Sequence, residues 1–265
     1  MNFGEMMLFT IRSWFAQKNP ARGKPKTLNQ ENDAVPVLAP TTEVAVIGDI
    51  HGRLDLLGSL LKKLDAKYPY TKRVFVGDYI DRGPDSRGVL AQLKALGDGA
   101  ICLMGNHEAM MLGFIDAPSS QGKRWLRNGG IETLRSFGIS VSDDPGEDSF
   151  ERLQAALKAE LGREKLEWLQ SLKLWWQSGN LVVTHAGPDP MVSMSDQEND
   201  AFLWGHPRFL RDRRTDDIWV AHGHWIQDRA NVKNARIAVD TGAFHSGRLS
   251  AAVIATDGTI TFITA

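Results

Sequence analysis

Three apolar runs in this chain break off into the same chemistry. VAVIGDIHGR (Val44–Arg53), VFVGDYIDRG (Val74–Gly83) and ICLMGNHEAM (Ile101–Met110) each pass from β-forming residues into Gly-Asp or Gly-Asn. A His, Arg or Glu follows close behind in each. Between and after them the apolar spacing changes to three and four, which predicts helices. Leu54, Leu57, Leu61 and Leu64 mark the first, Val89, Leu90, Leu93 and Leu96 the second, and His107–Ile115 the third. This alternation implies a βαβ half with a largely parallel sheet. Open α/β sheets gather their sites where strands give way to loops, and all three motifs lie there.

The middle of the chain, Gly122–Leu174, predicts helices. It includes WLRNGG (Trp125–Gly130), then Ser149–Leu161 and Glu164–Leu172 with a break at Gly162. The final third returns to strands at Leu181–Thr184, Ile218–Ala221, Arg236–Val239, Ala251–Ala255 and Thr259–Thr264. The last two flank an Asp257-Gly258 turn, a hairpin signal. A β-rich second half beside a βαβ first half predicts an α/β (α+β) fold of two packed sheets flanked by helices.

Composition narrows the function. The 31 Lys and Arg are balanced by 32 Asp and Glu, so there is no basic field for nucleic acid. The lone cysteine, Cys102, excludes an internal disulfide framework and fits a reducing, cytoplasmic setting. It sits inside an apolar strand and reads as core rather than as a phosphatase nucleophile. No apolar run is long enough to cross a bilayer. At the amino end, Phe3, Met7, Ile11 and Trp14 recur at helical spacing. The stretch lacks an early basic region and Arg12 interrupts it, so it does not read as a signal peptide. Residues 18–40 are polar and Pro-bearing, as linkers are. The expected division is an extension over 1–41 and one folded domain over 42–265.

Five of the seven histidines lie in short strand-end motifs: His51, His107, His185, His222 and His224. Each alone reads as a packed or surface histidine. Together with Asp49, Asp78 and Asn106 at equivalent strand ends, they read as one convergent metal site. Oxygen ligands mixed with neutral imidazoles suit Mn, Fe, Zn or Co better than Ca. Asp49 and His51, two residues apart in extended backbone, could reach one ion. Asp78 could bridge it to a second, held further by Asn106, His185 and a histidine of AHGHW.

The ordered set GDIHG, GDYIDRG, GNHE, THAG and a later GH resembles the PPP-type serine/threonine phosphatases within the calcineurin-like metallophosphoesterases. GDYIDRGPDSRGVL, WLRNGG, LVVTHAGPDP and VDTGA…GRLSA are similar to the bacterial branch, so the resemblance runs from about Val44 to the carboxyl end. It implies a four-layer αββα sandwich and two divalent ions, Mn²⁺ first with Fe or Zn as alternatives. It implies Asp49, His51 and Asp78 on one ion, and Asp78, Asn106, His185 and His224 on the other. His224 is preferred to His222 because the family's ligand directly follows the glycine of that motif.

In the same resemblance, His107 is the proton donor, Asp81 orients it, and Arg82 and Asn106 contact phosphate. A metal-bridging hydroxide is the implied nucleophile. The second phosphate-binding arginine is displaced. His206 stands where the bacterial branch carries it, and Arg208 is the candidate replacement, with His206 or a merely solvated loop as alternatives. The expected substrate is a phosphoprotein or phosphopeptide. The rival readings are a symmetrical diadenosine-tetraphosphate hydrolase and, more remotely, an inactive scaffold.

Overall fold

The computed structural model describes residues 35–142 and 149–265. The expected helix around Phe3–Trp14 lies outside the described residues. From Val44 the chain alternates as expected: β1 (Val44–Ile47), α1 (Leu54–Lys67), β2 (Lys72–Phe75), α2 (Ser86–Ala95), β3 (Ala100–Cys102) and α3 (Asn106–Asp116). A helical insert follows: α4 (Pro118–Trp125), a wide turn over Leu126–Gly130, α5 (Ile131–Ser136) and the long α6 (Phe150–Gln170). The break expected at Gly162 survives as a kink inside α6, where that residue takes φ 70° and ψ 164°. The remainder is β4 (Trp175–Ser178), β5 (Leu181–Thr184), α7 (Asn199–Trp204), β6 (Trp219–His222), β7 (Asn231–Lys233), β8 (Arg236–Ala238), α8 (Ala243–Ser246), β9 (Ser250–Ile254) and β10 (Ile260–Thr264).

The strands form two mixed sheets, in the orders β10-β9-β1-β2-β3 and β4-β5-β6-β8-β7. The carboxyl-terminal hairpin does not extend the second sheet. It returns to the first, with β9 antiparallel to β1 in the register Val44↔Ile254. Alternation of side chains decides which face meets what. Val44, Val46, Val74, Val76, Ala252 and Ile254 point into the sandwich against Leu181, Val183, Ala221, Ile237 and Val239 of the other sheet. Ala45, Ile47, Phe75, Ala251 and Val253 point the other way, onto Leu57, Leu60, Leu61 and Leu64 of α1 and Val89, Leu90 and Leu93 of α2. Each of those leucines, fully buried, contributes about 2 kcal/mol.

The outer face of the second sheet is covered by α7 and the segment after it, with Phe209 packed on His222 and Phe202 stacked on Trp175. The result is two mixed sheets flanked by helices. β4 and β7 escape sequence reading because each is a short edge strand without a clear apolar alternation. Ahead of β1 a strap crosses the β4–β5 turn. Ala39 N–H donates to Asn180 Oδ1 (2.7 Å), Thr41 N–H to Ser178 Oγ (3.0 Å), and Trp219 Nε1–H to the Pro36 carbonyl (2.8 Å). Burial pushes the Cys102 thiol up to about 12, which leaves it inert as a nucleophile. Among the described residues no helix is long and apolar enough to cross a membrane.

Candidate metal centre and active site

β1, β2 and β3 run parallel in one sheet, and β5, β6 and β8 run parallel in the other. The carboxyl ends of both sets meet at one edge of the sandwich. Asp49 follows β1, Asp78 follows β2, and Asn106 and His107 open α3 after β3. His185 directly follows β5, and His224 lies just past β6. Glycines let these loops touch. A side chain at Gly105 would collide with Asp78, and one at Gly223 with the Asp49 carboxylate.

The loops are locked together by backbone hydrogen bonds. Ile50 and His51 both donate N–H to the Asp78 carbonyl (3.0 and 2.8 Å), and Gly52 donates to Tyr79 (2.8 Å). Closing the loops this tightly forces unusual backbone. His51 (φ 46°), Asp78 (52°), Asp81 (70°), Arg82 (68°) and His224 (64°) all sit in the left-handed region. The extended backbone expected at Asp49–His51 is therefore corrected: His51 turns back because its N–H is tied to the β2 loop. Left-handed non-glycine residues cost about 1–3 kcal/mol each and gather at functional sites.

Glu108 holds the same loops from below. Its carboxylate accepts N–H from Asp78 (2.8 Å), Tyr79 (2.8 Å), Gly105 (3.1 Å) and Ile80 (3.2 Å). Four backbone donors on one buried side chain fix the course of the β2 loop around Asp78.

The side chains then converge in two trios that share Asp78. His51, Asp78 and His107 bring ligand atoms within 4.8 Å of one another, and so do Asp78, His185 and His224. Asp78 Oδ2 lies 3.6 Å from His51 Nε2, and Oδ1 lies 3.5 Å from His185 Nε2. Asn106 Oδ1 joins the second trio, 2.8 Å from His185 Nε2 and 3.1 Å from His224 Nδ1. Asp49 stands beside the trios; its oxygens accept the His224 N–H at 3.1 and 3.3 Å.

The protonation pattern suits a cation. Burial holds His51 and His185 down at about 3, against the pull of Asp78, so both rings are neutral at physiological pH. His51 Nδ1 faces the Ile80 carbonyl at 2.8 Å, which assigns the proton there and leaves Nε2 as an acceptor, 3.1 Å from Arg82 Nη1 and 3.6 Å from Asp78 Oδ2. Burial, then the charges of Asp240 and Asp78, push the Asp49 carboxyl well above the usual carboxylate range. Asp49, Asp78 and Asp240 are all buried, and no Lys or Arg ion pair joins them among the described residues. A set of crowded carboxylates, neutral imidazoles and an amide oxygen fits divalent ions, which supply the missing positive charge.

His107, a member of the first trio, also forms an acid pair with Asp81. His107 Nδ1 is 2.7 Å from Asp81 Oδ2. Burial alone would lower the His107 pKa, but the charges of Asp78 and Asp81 and the Asp81 hydrogen bond hold it above the ordinary histidine value. Asp81 is fully buried and tied from the helical insert. Thr133 Oγ1–H donates to its Oδ1 (2.7 Å), and Trp125 Nε1–H lies 3.0 and 3.2 Å from its two oxygens. Arg82 is exposed at the mouth, 3.1 Å from His51 Nε2 and stacked over Phe244 at 4.9 Å.

Other residues singled out in the sequence lie elsewhere. Arg208 pairs with Asp212 (3.8 Å) and its N–H faces His206 Nδ1 (3.4 Å), while His206 leans on Asp189 (3.4 Å). Among the described residues, no contact joins Arg208 to the ligands. His222 packs edge-on to Phe209 and Trp225, away from the trios. Arg53 bonds Asp55 and the Ala243 carbonyl instead of entering the site. From WLRNGG, Trp125 and Asn128 are expected to line the substrate groove; instead Trp125 is buried against Asp81, and Asn128 bonds the Arg124 carbonyl. Thr133, Glu108 and Asp240 are site-building residues that pattern reading did not assign. Of these, Glu108 carried a signal in GNHE and Asp240 in VDTGA, while Thr133 carried none.

Buried donors of this kind hold divalent cations, and the sandwich that carries them is the metallophosphoesterase fold. The chain belongs to the calcineurin-like phosphoesterase family, which it matches over residues 42–228. It is 32% identical over 223 residues to serine/threonine-protein phosphatase 1 of Salmonella typhimurium strain LT2, covering 80% of this chain and 91% of that protein. It is 46% identical over 164 residues to a symmetrical bis(5'-nucleosyl)-tetraphosphatase of Janthinobacterium sp. strain Marseille. That match covers 60% of this chain and only 50% of the tetraphosphatase. A crystal structure of a candidate diadenosine tetraphosphatase superposes with a TM-score of 0.59 at 23% identity, covering 86% of this chain and 98% of the other.

Proposed function

We propose that this phosphoesterase hydrolyses phosphoserine and phosphothreonine esters in proteins. The observation that carries phosphoester chemistry is the His107–Asp81 pair, 2.7 Å apart, with His107 standing in one of two donor trios that share Asp78. The protein-phosphatase reading is supported by likeness over 91% of the Salmonella phosphatase, against half of the tetraphosphatase. A second reading, hydrolysis of symmetrical dinucleoside tetraphosphates, is favoured by the higher identity to the latter, 46%.

In this reading Asp49, His51 and Asp78 hold one ion, and Asp78, Asn106, His185 and His224 hold the other, with manganese as the expected metal. Bound ions supply Lewis acidity, which makes water nucleophilic near neutral pH and offsets phosphoryl charge. The chain's own groups do the rest. Arg82 and Asn106 fix the phosphate oxygens, the arginine fork matching their geometry. His107 gives its Nε2 proton to the seryl or threonyl oxygen as the P–O bond breaks, so that an alcohol leaves rather than an alkoxide. Asp81 keeps the other ring nitrogen protonated and the ring in place. Arg208, paired with Asp212 at 3.8 Å, is left out of this reading.

Purified protein with Mn²⁺ is expected to hydrolyse p-nitrophenyl phosphate. His107→Asn is expected to lose roughly 100-fold or more in kcat while binding metal like the wild type, measured by calorimetry. Undiminished turnover in that variant would remove the proton-donor assignment. Phosphopeptides compared with diadenosine tetraphosphate under one set of conditions separate the two substrate readings, and exclusive cleavage of the dinucleotide would overturn the first.

A further inference from the structure

The helical insert places an arginine at the mouth of the site. Arg124, the residue before Trp125, lays its guanidinium over the Trp204 ring, with Cζ 4.7 Å from the centroid. Trp204 in turn stands edge-on to the ligand candidate His224 at 6.4 Å. Arg124 is thus one ring removed from the second trio, while Arg82 and its Phe244 platform lie over His51 of the first. Each trio has its own arginine on its own aromatic shelf.

Position on the insert says which part of a substrate Arg124 meets. His107 must face the leaving oxygen to protonate it, so elements that hold Asp81 against His107 border the leaving side. Trp125 and Thr133 are those elements. The backbone beneath Arg124 is held as well: Asn128 Nδ2–H donates to its carbonyl (2.8 Å), and the neighbouring Gly129 carbonyl accepts the Arg82 N–H (3.3 Å).

Charge identifies the ligand. Lys123, Arg124 and Arg127 are all exposed within this one turn of chain. Among the described residues none of them has a carboxylate partner, although the protein as a whole carries a net charge of −1. Stacked arginines keep their edge N–H groups free for anions. We infer that Arg124, on its Trp204 shelf, recognises an acidic group beside the phosphorylated residue, so that the preferred substrates are acidic phosphopeptides. The inference rests on the protein-phosphatase reading and adds a specificity residue to it.

The test measures wild type, Arg124→Ala and Arg124→Lys with Mn²⁺ on three substrates. They are p-nitrophenyl phosphate, a phosphothreonine peptide flanked by Glu, and the same peptide flanked by Gln. An exposed charge pair predicts a KM about fivefold lower for the Glu peptide in the wild type. That preference shrinks as salt rises. Arg124→Ala is expected to erase it, leaving kcat and p-nitrophenyl phosphate turnover within about twofold, and Arg124→Lys to keep most of it. The inference is overturned if Arg124→Ala impairs all three substrates alike, since the arginine would then bind the transferred phosphoryl group. It is equally overturned if the Glu preference survives the substitution. Hydrolysis of p-nitrophenyl phosphate but of neither peptide would overturn the protein-phosphatase reading itself. Diadenosine tetraphosphate is run beside them as a control, and its cleavage in an Arg124-dependent manner would overturn the inference by reassigning the anion to a phosphate chain.

Discussion

The Asp81 carboxylate takes hydrogen bonds from His107, Trp125 and Thr133; the first two lie in quoted motifs, but nothing in WLRNGG shows that its Trp reaches Asp81. His107 and Asp81 were legible because Gly-Asn-His-Glu and Gly-Asp-Tyr-Ile-Asp-Arg stand out along the chain. Trp125 reaches Asp81 from 44 residues away and Thr133 from 52, distances over which local pattern carries no signal. Trp125→Phe keeps the ring stacked on Phe114, 4.9 Å away in the wild type, and removes only the indole donor. A hydrogen bond to a charged acceptor contributes about 1.5 kcal/mol, so a roughly tenfold fall in kcat is expected. KM for p-nitrophenyl phosphate should stay within about twofold. A change in KM with kcat intact would show that the indole positions substrate and not the acid.

At the scale of elements, the strands with a clear apolar pattern and the helices with leucine spacing were readable, and the edge strands β4 and β7 were not. The site loops were readable as loops, but not their conformation. Left-handed backbone at His51, Asp78 and His224 follows from hydrogen bonds between the β1 and β2 loops and from the crowding of separate strands, none of it local. Glu108 is the side chain that pins the β2 loop to α3. Glu108→Gln turns one acceptor into a donor facing backbone N–H groups, leaving two of them unsatisfied. That predicts a loss of about 2 kcal/mol or more in stability, seen as a lower urea midpoint. Wild-type stability in this variant would mean that the loop is held by other contacts.

For the whole molecule, the alternation of strands and helices fixes the class of fold, while the sheet orders depend on pairings between residues far apart in the chain, such as Val44 with Ile254. The metal centre was legible because its donors come from motifs at five strand ends. The substrate was not, because phosphomonoesters and phosphoanhydrides ask the same thing of those donors: a held phosphoryl group, an activated water and a proton. In the proposed reading, what separates them lies at the rim, where Lys123, Arg124 and Arg127 stand exposed on the helical insert.

In the proposed centre Asp78 joins two ligand sets. Calorimetric titration of metal-free protein with Mn²⁺ tests it directly. Two ions per chain are expected for the wild type, with both weakened together by roughly tenfold or more in Asp78→Asn. A single ion per chain, or two that remain tight in Asp78→Asn, would contradict a shared carboxylate at the core of the site.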